Sequence, residues 1–115
     1  MIELAKRQCV PCRGGIPPLT KAEAETLISN VPGWSLTPDG KSIFRDYKFP
    51  DFARALGFVN EVGSIAERED HHPDITLGWG YVQVKFFTHK IDGLHENDFI
   101  MAAKIDEEAG QQNKA

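Results

Sequence analysis

The chain has 115 residues, 41% of them hydrophobic and 26% charged, with a formal net charge of −4. This suffices for one domain with its own core and falls short of two, and the composition is ordinary for a soluble globular protein. The acidic balance argues against nucleic acid as a direct partner. No apolar run approaches the roughly 18 residues of a membrane span, and no signal-peptide core opens the chain, so the cytoplasm is the expected location.

Residues 1–18 read as an extended N-terminal arm, because Gly14, Gly15, Pro17 and Pro18 break any helix or central strand. Cys9 and Cys12 are the two cysteines. Their Cys-x-x-Cys spacing could be half a zinc knuckle or a redox dithiol. A zinc site needs two more ligands at suitable spacing, and a thioredoxin-type site needs a helix directly after the second cysteine. Reduced thiols on an arm are the expectation.

A single domain is expected over residues 19–110, followed by a frayed tail at 111–115. Thr20-Lys21-Ala22-Glu23 has the form of a capping box, and Ala24, Leu27, Ile28 and Val31 supply a helical apolar stripe ended by Pro32-Gly33. Trp34-Ser35-Leu36 begins a strand, Pro38-Asp39-Gly40 turns it, and Ser42 to Phe49 returns, with Ile43, Arg45, Tyr47 and Phe49 on one face. Asp51 then caps the longest helix, which reaches about Glu69. Its apolar stripe is Phe52, Ala55, Leu56, Val59, Val62, Gly63 and Ala66, widened by Phe58 and Ile65, and suits a helix laid across a sheet.

Ile75-Thr76-Leu77 alternates as a short strand and Gly78-Trp79-Gly80 is a hairpin tip. Tyr81 to Thr88 is a strand with Val82, Val84 and Phe86 on one face. His89 closes that strand, Lys90 to Leu94 is a loop, and a final helix from His95 or Glu96 buries Phe99, Ala102, Ala103 and Ile105. The order strand–strand–helix thus occurs twice, after an N-terminal helix.

The stretch Glu67-Arg68-Glu69-Asp70-His71-His72-Pro73-Asp74 carries the chemistry. Pro73 biases His72 out of the helical region, so the histidine pair marks a helix end. Glu67 and His71, four apart, can touch if the helix persists. The helix dipole, Glu67 and Asp70 would all favour imidazolium there. His89, at the far end of a hairpin, can return to the same corner. Histidine gives and takes protons near neutral pH, so spacing puts acid–base chemistry first. Helix-ending surface histidines and a metal site using His71, His72 and Glu67 or Asp70 are the alternatives. Adjacent histidines seldom aim at one ion, and no Gly-x-Ser-x-Gly elbow suggests a nucleophilic triad.

From Leu19 to Asp106 the chain resembles the pterin-4a-carbinolamine dehydratases. The residues that carry the resemblance are Glu67 to Asp74, then Thr88-His89-Lys90-Ile91-Asp92-Gly93-Leu94 and Asp98, with Gly33-Trp34, Asp51-Phe52, Ala55, Gly57 and Phe58 in support. The resemblance implies a two-layer α+β fold, a four-stranded antiparallel sheet with helices packed on one face. It implies a hydro-lyase that eliminates water from a 4a-hydroxytetrahydropterin to give quinonoid dihydropterin, in the recycling of the pterin used by aromatic amino-acid hydroxylases. It implies neither a metal nor an organic cofactor. The three catalytic histidines of the family fall on His71, His72 and His89, and its pterin-contacting segments on His71, His72 and Pro73 and on Thr88, His89, Lys90 and Ile91. Glu67, Asp70, Trp34 and Asp98 are expected to support them, Trp34 either as core or as a wall of the pocket. Where the family commonly has a hydroxyl cap, His95 stands before Glu96-Asn97-Asp98 and is expected to act as a cap variant. Members form homodimers and homotetramers, and some act as dimerisation partners of a transcription factor. A non-enzymatic binding module is therefore the alternative function, ahead of a metal-dependent hydrolase.

Overall fold

The computed structural model describes residues 4–7, 9 and 16–109. Its elements are α1 (Lys21–Ile28), β1 (Ser35–Leu36), β2 (Ile43–Lys48), α2 (Phe52–Glu69), β3 (Asp74–Gly78), β4 (Tyr81–Phe86) and α3 (Glu96–Glu108). The expected tail at 111–115, together with Cys12, Gly14 and Gly15, lies outside the described residues.

Each helix starts where a side chain can satisfy the unpaired amides of its first turn. Thr20 Oγ1 accepts from the Glu23 amide at 3.1 Å and the Glu23 carboxylate returns to the Thr20 amide at 2.8 Å, the reciprocal box expected before α1. Asp51 accepts from the Arg54 amide at 2.8 Å before α2. At α3 the cap is His95: its Nδ1 accepts from the Asn97 amide at 3.0 Å, while Asp98 accepts from the His95 amide at 2.9 Å.

The strands make one antiparallel sheet in the order β1-β2-β4-β3. Register places Ile43 opposite Phe86, Arg45 opposite Val84 and Tyr47 opposite Val82, so one face gathers the apolar side chains. Ile43, Tyr47, Val82, Val84 and Phe86 are buried on that face, against Ala55, Phe58, Val62, Ile65 and Ala66 of α2 and Phe99, Met101, Ala102 and Ile105 of α3. The other face carries Phe44, Asp46, Lys48, Gln83 and Lys85, with Gln83 donating to Asp46 at 3.1 Å. This is the two-layer α+β arrangement. Between β3 and β4 the turn needs a positive φ at Gly80 (78°), a conformation that glycine adopts without steric cost.

Three details differ from the sequence pattern. The buried stripe of α2 is centred on Ala55-Phe58-Val62-Ile65-Ala66, leaving Phe52 and Leu56 exposed at its edge. Regular pairing of β4 stops at Phe86; Thr88 keeps only an isolated bridge to Gly93, and His89–Ile91 form one 3-10 turn rather than a strand end. α3 is buried on more than one stripe, with Asn97, Asp98, Ile100 and Lys104 covered as well. One cause is that Leu4–Lys6, expected to be extended arm, form a 3-10 turn packed against α3, where Ala5 meets Lys104.

Asp106 of α3 joins the layers. It accepts from Trp34 Nε1 at 2.9 Å, Arg45 Nη1 at 3.2 Å and the Tyr47 hydroxyl at 2.8 Å. Burial pushes the Asp106 carboxyl up from its usual range, against the opposing pull of the Tyr47 and Trp34 hydrogen bonds and the Arg45 guanidinium. Net, this group favours the folded state most below the carboxylate range and least above it, because raising the pH ionises it where water is scarce. The Tyr47 hydrogen bond acts in the opposite sense, since it favours the ionised form. Tyr47→Phe should therefore cost about 1–2 kcal/mol in urea unfolding at neutral pH. The deficit should shrink as the pH falls through the carboxyl titration, and a deficit that grows in acid would contradict this assignment.

Candidate active site

The end of α2 decides where the histidine pair points. Asp70 takes a left-handed conformation (φ 53°), and both its amide and that of His71 return to the Ala66 carbonyl. The helix thus ends one residue before the pair, and the turn sends the two rings different ways. Glu67 and His71 do not meet as i,i+4 neighbours. Glu67 instead pairs with Nε2 of His72, five residues on, with both side chains largely in solvent. Exposed pairs of this kind are worth roughly 0–1 kcal/mol.

His71 turns inward and reaches across to α3. Its Nε2 lies 2.6 Å from Oδ1 of Asp98, and its ring lies parallel to that of Phe86, 6.0 Å between centroids. Asp98 is fully buried, and its other oxygen accepts from the Thr88 hydroxyl at 2.8 Å and the His95 amide at 2.9 Å. A carboxylate is an acceptor only, so Nε2 of His71 carries the proton that faces it and Nδ1 is turned away from it. The ring is thereby fixed in tautomer and direction by a group that solvent cannot reach.

His89 stands at the start of the 3-10 turn after β4, exposed, its ring 4.1 Å from that of Phe87. His71, His72 and His89 line one cavity of about 580 Å³, together with Asp70, Pro73, Asp74, Thr88 and Lys90. The volume suits a small bicyclic ligand, since such sites run from about 300 to 1,000 Å³. Cys9, Glu69 and Phe87 line it as well, and sequence reasoning did not find them. Phe87 was readable as an aromatic beside a candidate histidine. Cys9 was not, because it lies 60 positions from Glu69, its partner in the fold.

Four expected residues differ in their surroundings from what the sequence suggested. Ile91 is buried and does not line the cavity. Thr88 reaches the cavity wall but spends its hydroxyl on Asp98. Asp70 is exposed at the rim, and its carboxylate makes no hydrogen bond to a histidine among the described residues. Trp34 is core, packed on Phe86 and Tyr47 with its N–H on Asp106, and is no wall of this cavity. Among the described residues, no three His, Cys, Asp or Glu side chains converge as ligands for a metal ion.

The family model described as pterin 4 alpha carbinolamine dehydratase matches residues 17–108, which span every helix and strand above. The chain belongs to the pterin 4 alpha carbinolamine dehydratase family. A protein of Methylococcus capsulatus named "putative pterin-4-alpha-carbinolamine dehydratase" is 56% identical over 94% of this chain and 95% of its own. A Halorhodospira halophila protein of the same name is 54% identical over 91% of this chain and 96% of its own. Among solved structures, a transcriptional coactivator/pterin dehydratase from Brucella melitensis is 34% identical. It superposes with a TM-score of 0.75 over 81% of this chain and 99% of that one. A pterin dehydratase-like protein described as a RuBisCO assembly factor shares the fold at 23% identity and a TM-score of 0.58.

If Asp98 anchors this corner, Asp98→Asn must either set its NH2 group against the His95 amide, a donor it cannot accept from, or switch His71 to the tautomer that accepts at Nε2. That change should cost about 1–3 kcal/mol. Thr88→Val, which removes one donor of three, should cost about 1 kcal/mol. Urea unfolding of the two variants checks this, and wild-type midpoints for both would show that the carboxylate holds nothing together.

Proposed function

We propose that this protein dehydrates 4a-hydroxytetrahydropterin to quinonoid dihydropterin, as a step of tetrahydropterin recycling, and that His71, His72 and His89 carry the chemistry. The observation that supports this most is the cavity. Three imidazoles from two separate segments line it, and one of them is locked by a buried carboxylate, in a chain of this family.

The reaction breaks the C4a–O bond and forms a C4a=N5 double bond. Hydroxide is a poor leaving group, so an acid must protonate the 4a oxygen as the bond breaks, and water departs. The N5 proton passes to a base in the same passage. One imidazole must therefore start charged and another neutral, and the site offers two contrasting environments for this. His71 is sheltered, with Nε2 on Asp98 and Nδ1 without a partner among the described residues. His89 is exposed to solvent and leans on Phe87, so it can exchange protons with bulk water between turnovers. His72, at the rim with Glu67, is better placed to grip the pterin than to reach its reacting bond. Pro73, Asp74 and Lys90 complete the enclosure.

The same reading includes self-assembly as a homodimer or homotetramer. Phe52 and Leu56 on α2 and Trp79 and Tyr81 at the β3–β4 tip are large apolar side chains left exposed, Trp79 at 71%. Light scattering on the purified protein measures the assembly directly.

Dehydration of a 4a-hydroxytetrahydropterin, followed by ultraviolet absorbance, tests the function. His71→Ala and His89→Ala should each lose about 10²- to 10⁴-fold in kcat/KM. The double variant should lose much less than the product of the two, because both serve one step. His72→Ala should raise KM more than it lowers kcat. His89→Ala should unfold like wild type, its ring being exposed. Near-normal kcat/KM in all three folded single variants would place the chemistry elsewhere. A second check uses excess EDTA: activity should persist, and a loss restored by one added metal would overturn a histidine-only mechanism.

A further inference from the structure

Residues 4–7 and 9 precede the segment that the family model matches, yet Cys9 reaches the cavity. They are held there through charges that solvent scarcely touches. The side chains of Lys104, on α3, and Glu69, the last residue of α2, are 7% and 9% exposed. Lys104 Nζ donates to the Ala5 carbonyl at 2.9 Å and lies 3.7 Å from Glu69 Oε2. The other Glu69 oxygen accepts from the Cys9 amide at 3.0 Å. One buried ion pair thus grips the segment at two backbone points, four residues apart. The Cys9 thiol faces the Asn97 carbonyl at 3.8 Å, directly beside Asp98. Burial pushes that thiol up to about 12, so it stays a neutral, largely apolar group.

A buried ion pair is a poor source of net stability, because desolvation offsets most of the attraction. Here its geometry does something an apolar pair could not: it accepts and donates to main-chain groups of a segment with little core of its own. Leu4 and Cys9 are the hydrophobic side chains of that segment that pack on the core cluster. Cys9 and Glu69 both line the cavity of the three histidines.

We infer that Lys104 is a positioning residue for substrate binding: through Glu69 it seats the N-terminal segment so that Cys9 forms one wall of the pterin cavity. This rests on the function proposed above. The wall contacts bound pterin before and during the reaction alike and takes no part in proton transfer. Its loss should therefore weaken binding without slowing the chemistry of the bound complex.

The test is steady-state dehydration by the full chain carrying Lys104→Met, with Lys104→Arg as the conservative variant. Lys104→Met should raise KM by about tenfold with kcat nearly unchanged, and Lys104→Arg should restore most of the binding. A folded Lys104→Met with wild-type KM, or one that loses kcat and keeps KM, overturns the inference while leaving the function intact. No turnover by the wild-type protein would instead overturn the function, and this inference with it. Because Lys104→Met leaves Glu69 short of a partner and could fail to fold, a second measurement keeps the ion pair whole. In Cys12→Ser protein, a stable dihydropterin should slow alkylation of Cys9 severalfold. Equal alkylation rates with and without a saturating dihydropterin would show that Cys9 is no part of the wall.

Discussion

The buried carboxylate of Asp98 is the constraint on which the site depends. It collects the His71 ring, the Thr88 hydroxyl and the His95 amide, and these come from the end of α2, the end of β4 and the start of α3. Three chain segments that close no common turn are thereby fixed to a single group. A charge placed there without such donors would cost several kcal/mol. The converse also holds: once Asp98 is buried, its donors have little freedom to leave. The ring of His71 owes its orientation to this, and so does the cavity beside it.

The remaining geometry follows from how the ends of elements are stopped. Asp70 in the left-handed region ends α2 and separates two histidines that are neighbours in the chain, one to the core side and one to solvent. The bridge from Thr88 to Gly93 curls the chain after β4 and presents His89 at the same opening. Each device is local, and each costs little. Together they put a sheltered imidazole and an exposed one around one volume, which is the contrast that acid–base chemistry needs.

α3 carries more of the molecule than an amphipathic surface helix would. Asp98 serves the site, Lys104 and the Asn97 carbonyl hold the N-terminal segment, and Asp106 ties the helix to Trp34, Arg45 and Tyr47 of the sheet layer. Arg68 and Glu108 add a bidentate pair between α2 and α3, at 2.7 and 3.0 Å, and the arginine holds the Glu108 carboxyl below its usual range. Polar groups on a helix covered from several sides need partners in the fold, and here Asp98, Asp106 and Glu108 each draw donors from other elements.

Much of this was legible in the chain itself. The alternation Val82-Val84-Phe86, the caps at Thr20 and Asp51 and the stripe through Phe58 and Val62 name the strands and helices, because period and cap chemistry act over a few residues. The pattern from Glu67 to Asp74, with Thr88-His89 and Asp98, points to the family and to the three histidines. Which side chain meets which was not legible. Glu67 and Asp70 are the near acidic neighbours of His71, yet the ring turns to Asp98, 27 residues away. Trp34 could be wall or core until its N–H met Asp106. Cys9 looked like a thiol on a loose arm until Glu69 took its amide and Lys104 took the Ala5 carbonyl. Local sequence sets local dihedrals and which faces are apolar. The partners of buried charges are set only when the layers close and every donor left inside must find an acceptor, and that is a property of the tertiary structure.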